Sequence, residues 1–181
     1  MSPILKKLNS LYQLEVRAMQ YAQDGFLLLI RLYWGWQFFL TGRGKLMNIE
    51  RTAEFFGSLG IPLPTLNAYA AGATECFGGL LLLAGIASRI STIPLIGTMC
   101  VAYLTAHGEQ LRAIVSNPDA FVTAPPFLFL LAAVIVLLFG PGRLSVDALA
   151  GPYLLRKLPN QRVTSETESA SQKMATAASQ I

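Results

Sequence analysis

Four long apolar runs restrict what this chain can fold into. They cover residues 25–41, 67–87, 90–106 and 125–140, and the last of them holds no ionisable residue. A helix needs roughly 20 apolar residues to cross a bilayer core about 30 Å thick. We therefore predict an all-α, polytopic membrane protein with a four-helix bundle, in which the first, third and fourth runs are short for a full crossing.

The composition is typical of a membrane protein. Hydrophobic residues make up 53% of the 181 residues and charged residues 13%, against about 25% charged in an average soluble domain. The net charge of +4 would favour nucleic acid as a partner of a soluble protein, but here the basic residues lie at the ends of the apolar runs. We expect membrane lipid as a partner and no nucleic-acid binding.

The basic residues also predict an orientation. The N-terminal arm, the turn after the second run and the C-terminal segment hold nine Lys and Arg, whereas the other two loops hold four. Cytoplasmic loops of membrane proteins are enriched in Lys and Arg. We expect the inner (cytoplasmic) membrane of a prokaryote, both termini in the cytoplasm, and a first helix that stays attached as an uncleaved anchor.

The flanking segments suggest three parts. Residues 1–24 have apolar side chains at helical spacing, which predicts an interfacial amphipathic segment. Residues 25–158 form the membrane domain, in which "NIERTAEFFGSLG" reads as a short amphipathic helix of the first outer loop. Residues 159–181 are rich in Ser, Thr, Ala and Gln and predict a flexible cytoplasmic tail.

One carboxylate, Glu75, lies inside the second run. Its neighbours three and four positions away are all small, namely Ala71, Gly72, Gly78 and Gly79. Small residues allow another helix to approach closely, and a charge inside a membrane usually faces protein or water. We therefore expect a helix packed over Glu75, which is a candidate functional residue and equally a structural group that holds the bundle together.

The partner of Glu75 stays open. Arg31, in the first run, is the opposite charge, and its depth differs from that of Glu75 by about 8 Å, within reach of an arginine. However, side chains lean towards the N-terminus of their own helix, so these two lean apart. Arg31 is favoured, with Tyr33, Gln37 and Tyr103 as alternatives.

Few residues suggest cofactor chemistry. His107 ends the third run, either as an interfacial histidine facing water or as a proton or quinol contact. A single histidine does not build a haem or metal site, so we expect no metal and no intrinsic cofactor. Cys76 and Cys100 are expected to be separate buried thiols, with a redox pair as the alternative. We find no residue pattern of a self-sufficient enzyme.

After the fourth run, "GPGRLSVD" predicts an exit from the membrane. A glycine and a proline end the helix, an arginine meets the anionic headgroups, and a serine caps a helix that starts at Val146. The residues of this membrane-exit motif are Gly140, Pro141, Gly142, Arg143, Ser145 and Asp147.

This motif follows "RLYWGWQFFLTGRGKL", "LGIPLP" and "ATECFGGLLLLAGIASR" in order. Together they resemble the DoxX family of small four-helix bacterial and archaeal membrane proteins, over about residues 25–150. The resemblance implies a four-helix membrane bundle. Some relatives are described as subunits of a thiosulfate:quinone oxidoreductase, and others are linked to membrane-associated oxidoreductase or oxidative-stress complexes. It carries over no catalytic residues.

We therefore expect an accessory subunit of a quinone-linked membrane oxidoreductase. Such a subunit contacts quinone, while another membrane or redox subunit carries the cofactor. The alternatives are a structural or assembly subunit without chemistry of its own and, less favoured, a small-solute or proton transporter, which would require a homo-oligomer.

Overall fold

The structure is a computed structural model that describes residues 3–150, with side chains described from residue 8 onward. Within that range the chain is helical and contains no strand, which confirms the all-α prediction. The helices are α1 (Pro3–Met47), α2 (Ile49–Ser58), α3 (Pro64–Ala84), α4 (Ser88–Thr105), α5 (Gly108–Arg112), α6 (Pro118–Val122) and α7 (Pro126–Phe139). The predicted tail, residues 159–181, lies outside the described residues.

The four apolar runs lie in α1, α3, α4 and α7. The second run ends as a helix at Ala84 rather than at Ala87, because Gly85 adopts a left-handed conformation with φ +73° and its N–H bonds back to Leu81 and Leu82. Between residues 3 and 150, no helix combines the length with the apolar content needed to cross a bilayer. The membrane-spanning part of the prediction is therefore not confirmed.

Helix α1 differs most from its predicted bounds. The predicted boundary at residue 25 is absent, since α1 runs unbroken for 45 residues. No proline lies between residues 4 and 47, and an isolated helical glycine such as Gly25 is tolerated. The helix also continues past Thr41, where the first run ends, to Met47. This extension brings Lys45 alongside α3.

Helices α1 and α3 are in backbone contact. A Cβ at Gly42 would lie 2.7 Å from the Gly72 carbonyl oxygen, and a Cβ at Gly79 would lie 2.6 Å from the Phe39 nitrogen. Only glycine permits so close an approach. On another side of α3, the Leu95 side chain of α4 lies 3.0 Å from where a Cβ of Gly78 would be. Two helices thus cover the three glycines that flank Glu75.

The apolar core lies where α1, α3, α4 and α7 meet. The Phe38 ring of α1 is fully buried and meets Phe129 of α7 edge-on, with 4.8 Å between ring centroids. Leu82, Leu95 and Val136 fill the space around it. This core fixes α7 against α4.

Two connections carry short helices. The amphipathic α2 lies where the sequence predicted it, and Gly60 with φ +74° follows it. The second connection, residues 107–124, contains α5 and α6, two short helices that the apolar runs do not predict. Asn117 caps α6 by accepting a hydrogen bond from Ala120 N, and Pro118 occupies the first turn.

Candidate functional site

Glu75 is bound by Lys45. The Lys45 Nζ donates a hydrogen bond to Glu75 Oε1 and forms an ion pair with it. The Glu75 side chain is 2% exposed, whereas that of Lys45 is 30% exposed. The carboxylate therefore lies inside the protein, and the lysine reaches it from the edge.

Helix direction explains this pair. Helices α1 and α3 run in opposite directions, and Lys45 lies opposite Gly72, which is one turn before Glu75 in α3. Each side chain leans towards the N-terminus of its own helix, and here that lean brings the two together. The same rule, applied to Lys45, identifies the partner once α1 is known to continue past Thr41, where the first apolar run ends.

The favoured pair of Arg31 with Glu75 is not formed, which corrects the prediction. Arg31 is 2% exposed, and its Nε donates to the Leu82 carbonyl at 3.3 Å and its Nη2 to the Leu144 carbonyl at 3.1 Å. Its Nη1 donates to the carbonyl of Pro141. Leu82 lies seven residues, or about 10 Å along α3, beyond Glu75. Because the Arg31 side chain leans away from Glu75, it binds these three carbonyl groups instead.

One oxygen of Glu75 has no partner. Among the described residues, Glu75 Oε2 is a buried side-chain atom without a hydrogen bond. Buried polar atoms in native proteins are nearly always bonded, and each exception calls for an explanation. This oxygen is enclosed by protein atoms.

The Lys45–Glu75 pair lines a cavity of about 420 Å³ between α2, α3 and α4. Most of the wall is apolar, with Phe55 and Phe56 from α2 and Met99 from α4. Four polar residues also line the cavity, namely Asn67, Thr74, Thr98 and His107. An apolar cavity with few polar groups is the usual form of a small-molecule site.

A second cavity of about 160 Å³ also borders the pair and is lined by residues of α1, α3, α4 and α7. Thr41, Pro126 and Phe129 line it. The two cavities share the residues Lys45, Glu75, Met99 and Ala102. The ion pair therefore borders both spaces.

The other candidate partners of Glu75 lie elsewhere. Tyr103 is 3% exposed, and its hydroxyl donates to the Phe121 carbonyl at 2.9 Å. Its ring stacks on that of Phe121 and lies 6.3 Å from His107. Gln37 is half-buried, and its backbone carbonyl accepts a hydrogen bond from the Thr41 hydroxyl. His107 is brought to the larger cavity, which Gln37 and Tyr103 do not line.

The two cysteines are separate. Cys76 is buried as expected, but Cys100 is exposed, which corrects the expectation of two buried thiols, and neither forms a disulfide. The backbone of Cys76 faces Gly42 of α1. Within residues 3–150, no group of three His, Cys, Asp or Glu residues is placed to hold a metal ion.

The membrane-exit motif closes the end of the bundle that holds Arg31. Gly140, with φ +79°, follows the last residue of α7. Asp147 accepts hydrogen bonds from the backbone N–H groups of Ala87 at 2.7 Å and Ser88 at 3.0 Å. These bonds cap the start of α4, where Ala87 has a left-handed backbone with φ +46°. The motif thus holds the α3–α4 turn.

Further contacts tie the same motif to α1. The backbone N–H of Arg143 donates to Asp24 Oδ1 at 2.9 Å, and its Nε lies 3.8 Å from Asp24 Oδ2. Ser145 Oγ accepts a hydrogen bond from Ala148 N at 3.2 Å at the start of a helix that begins at Val146. These contacts give the motif a structural role in this fold. Its residues are not among those that line the two cavities beside Glu75.

The residues of this site lie in a region that is similar to known proteins. The DoxX family model matches residues 26–108, which include Arg31, Lys45, Glu75 and His107. A Bacillus subtilis (strain 168) protein named "Putative oxidoreductase CatD" is 32% identical over 137 residues, which cover 76% of this chain and 92% of that protein. An "Uncharacterized protein" of Haemophilus influenzae is 26% identical over 127 residues, or 68% of this chain and 82% of that protein. No solved structure matches the chain. This chain belongs to the DoxX family.

Proposed function

We propose that this chain is a membrane-embedded accessory subunit of a quinone-linked oxidoreductase, and that it supplies part of the quinone site. The observation that carries the proposal is the ion pair between half-buried Lys45 and buried Glu75 in the wall of an apolar cavity. In this proposal another subunit holds the redox cofactor. The relative in Bacillus subtilis named as an oxidoreductase supports a link to redox metabolism.

A membrane location is part of this proposal. DoxX proteins are generally membrane proteins. Large apolar side chains on the outer faces of the helices are exposed, among them Phe77 at 63%, Ile90 at 71%, Leu104 at 68% and Leu138 at 66%. Soluble monomers rarely expose apolar surface so extensively, and lipid would cover it. We place both termini in the cytoplasm, because the basic residues are concentrated on that side.

The cavity suits a quinone head group in size and chemistry. Its volume of about 420 Å³ lies in the usual range for small-molecule sites, about 300–1,000 Å³. Lys45 has three N–H donors, and Glu75 Oε1 takes one of them. A quinone carbonyl can accept a second, while Phe55 and Phe56 contact the ring.

Purification of the full chain in mild detergent tests the proposal. Mass spectrometry should detect a bound quinone and a redox protein that copurifies. In Lys45→Met the affinity for quinone should fall at least about tenfold, since loss of one hydrogen bond from a charged donor weakens binding by about 1.5–3 kcal/mol. Arg43→Met, at an exposed position of α1 outside both cavities, is the control. Absence of both quinone and redox protein would contradict the proposal.

An assembly subunit without chemistry is the second candidate. The N-terminal half of α1 favours it, because Leu8, Leu11 and Tyr12 are 56–64% exposed and can contact another subunit. If this candidate is correct, Glu75→Gln changes the yield of complex but not the turnover of assembled complex.

A transporter of protons or small solutes is the third candidate. The two cavities that share the Lys45–Glu75 pair in their walls favour it. Flux into liposomes that disappears in Glu75→Gln, measured without any redox partner, would support transport over the proposed subunit role.

A further inference from the structure

The larger cavity is long and narrow. Residues of α4 line it from Pro94 to His107, and these two positions lie about 20 Å apart along the helix. The volume of about 420 Å³, spread over a length of about 20 Å, gives a mean cross-section of about 20 Å². A space of this form suits a ligand with a long, thin part.

The Lys45–Glu75 pair borders this cavity part of the way along it. Met99 and Ala102 line both cavities together with the pair, so they mark the level of the pair on α4. From Ala102 the wall continues along α4 to Pro94, a distance of about 12 Å. We call the stretch that residues 94–101 line the α4 groove. It extends the cavity beyond the proposed position of the quinone ring beside Lys45.

The α4 groove offers little to a polar group. The α4 residues that line it are Pro94, Gly97, Thr98, Met99 and Val101. Thr98 has the one hydroxyl among them, and it already donates to the Leu95 carbonyl at 2.8 Å. The other four carry no side-chain hydrogen-bond donor. A polar group placed here would lose its hydrogen bonds to water without replacement, whereas a hydrocarbon segment would not.

The α4 groove is also open on its outer side. Pro94, Gly97 and Val101 line the cavity and are exposed, Val101 at 50%. The adjacent Ile93 is 60% exposed and continues the apolar surface. In the membrane location proposed above, lipid would cover these residues. A hydrocarbon chain that lies in the groove could therefore continue into the bilayer without passing a charged residue of α4.

We propose that the α4 groove holds the hydrocarbon tail of a long-chain quinone whose ring lies beside Lys45. This step rests on the proposed function, which places the ring. It is supported by the continuity of the groove with the ring site, by its length and by its open apolar wall. The ligand is then a quinone dissolved in the membrane. The distance of about 12 Å from Ala102 to Pro94 accommodates about ten bonds of extended chain, at about 1.2 Å per bond.

Two photoreactive quinones test the path of the tail. Both are benzoquinones with a decyl tail, and they carry a diazirine on either the second or the eighth tail carbon. Each is added to the full chain in mild detergent and illuminated, and mass spectrometry locates the label. The two carbons lie about 7 Å apart in an extended tail, which equals roughly five residues of α4. We expect the eighth-carbon label nearer Pro94, the second-carbon label nearer Val101, and loss of both with excess unlabelled decyl quinone.

Gly97→Leu is the informative variant. A Cβ at Gly97 would meet nothing within 4 Å, so the new side chain occupies the groove without a clash at its Cβ, and leucine favours a helix more than glycine does. At subsaturating probe, the eighth-carbon label should fall at least about fivefold. Gly25→Leu is the matched control, because a Cβ there also meets nothing within 4 Å and Gly25 lines neither cavity. It should keep the full label.

A tailless benzoquinone with an azido group on its ring separates the tail from the ring. It should still label the wall beside Lys45 in Gly97→Leu, which would also show that the variant is folded. If Gly97→Leu does not fold, the comparison of the two tail probes on the unmodified chain decides the question alone.

The outcomes distinguish the tail groove from the proposed function. If both tail probes label the same α4 residues, or if excess decyl quinone does not reduce their label, the proposed path of the tail is wrong. Full tail label in Gly97→Leu would also overturn it. Ring label beside Lys45 in the unmodified chain would leave the proposed quinone site standing in each case. If neither the ring probe nor the tail probes give label that excess quinone removes, the proposed quinone site fails as well.

Discussion

Lys45, near the end of α1, donates a hydrogen bond to Glu75, in the middle of α3, and the two side chains differ sharply in exposure. The lysine is 30% exposed and the glutamate 2%. The free energy lost on removing one side chain of the pair therefore depends on which side chain is left alone. A lysine left alone can turn to solvent or headgroups, whereas a glutamate left alone stays buried.

This asymmetry predicts the relative stability of two variants. Lys45→Met should lower the unfolding free energy by about 1–3 kcal/mol, since it leaves Glu75 without a donor. Glu75→Gln should lower it by less, because the neutral amide needs no counter-charge. Thermal unfolding in one detergent, followed by far-UV circular dichroism, measures both. A greater loss in Glu75→Gln than in Lys45→Met would contradict the assignment of the buried partner.

Two glycines of α1 provide a matched pair for helix contact. A Cβ at Gly42 would lie 2.7 Å from the Gly72 carbonyl oxygen, whereas a Cβ at Gly44 would meet nothing within 4 Å. Gly42→Ala should therefore destabilise the bundle by about 1–3 kcal/mol. Gly44→Ala should be neutral or stabilising by up to about 1 kcal/mol. Similar unfolding temperatures for the two variants would mean that α1 and α3 are not in backbone contact.

Arg31 joins three parts of the chain through carbonyl oxygens, those of Leu82, Pro141 and Leu144. Lysine cannot reproduce this spread of donors, because its ammonium is a single point rather than a planar fork. Arg31→Lys should therefore destabilise the protein by about 2 kcal/mol or more, on the scale of hydrogen bonds from a charged group. Arg43→Lys, at an exposed position of the same helix, should leave the unfolding temperature unchanged. A stable Arg31→Lys protein would show that the three carbonyl contacts contribute little.

Asp147 caps α4 across a separation of about 60 residues in the chain. Asp147→Ala should lower stability by about 1 kcal/mol and speed hydrogen exchange at the amides of Ala87 and Ser88. Asp119→Ala, at the exposed first turn of α6, serves as the comparison. Unchanged exchange at Ala87 and Ser88 would rule out the cap.

The sequence predicts the helices well because their causes are local. Apolar runs place α1, α3, α4 and α7, and glycines at positions 85 and 140 end two of them. The small residues around Glu75 predict a close helix contact, and α1 and α4 lie over Gly72, Gly79 and Gly78. The Asn117–Pro118 pair also carries a local helix-start signal, and α6 begins there.

The partners of the charged residues depend on information that the apolar runs do not contain. The apolar residues of the first run end at Thr41, but the helix continues to Met47. The apolar run therefore does not indicate that Lys45 lies on the helix face opposite Glu75. The contacts of Arg31 and Asp147 join residues more than 50 positions apart. Such pairs depend on how helices cross, which no spacing rule within one helix provides.

The most direct test of the account is to map where a quinone lies. A quinone with a photoreactive azido group, added to the full chain in mild detergent and illuminated, labels the residues that it touches. The account predicts label on the wall beside the Lys45–Glu75 pair, in the peptides that contain Phe55 or Met99, and its loss when excess duroquinone is added. Label confined to outward-facing positions such as Leu138 of α7, unaffected by duroquinone, would contradict it.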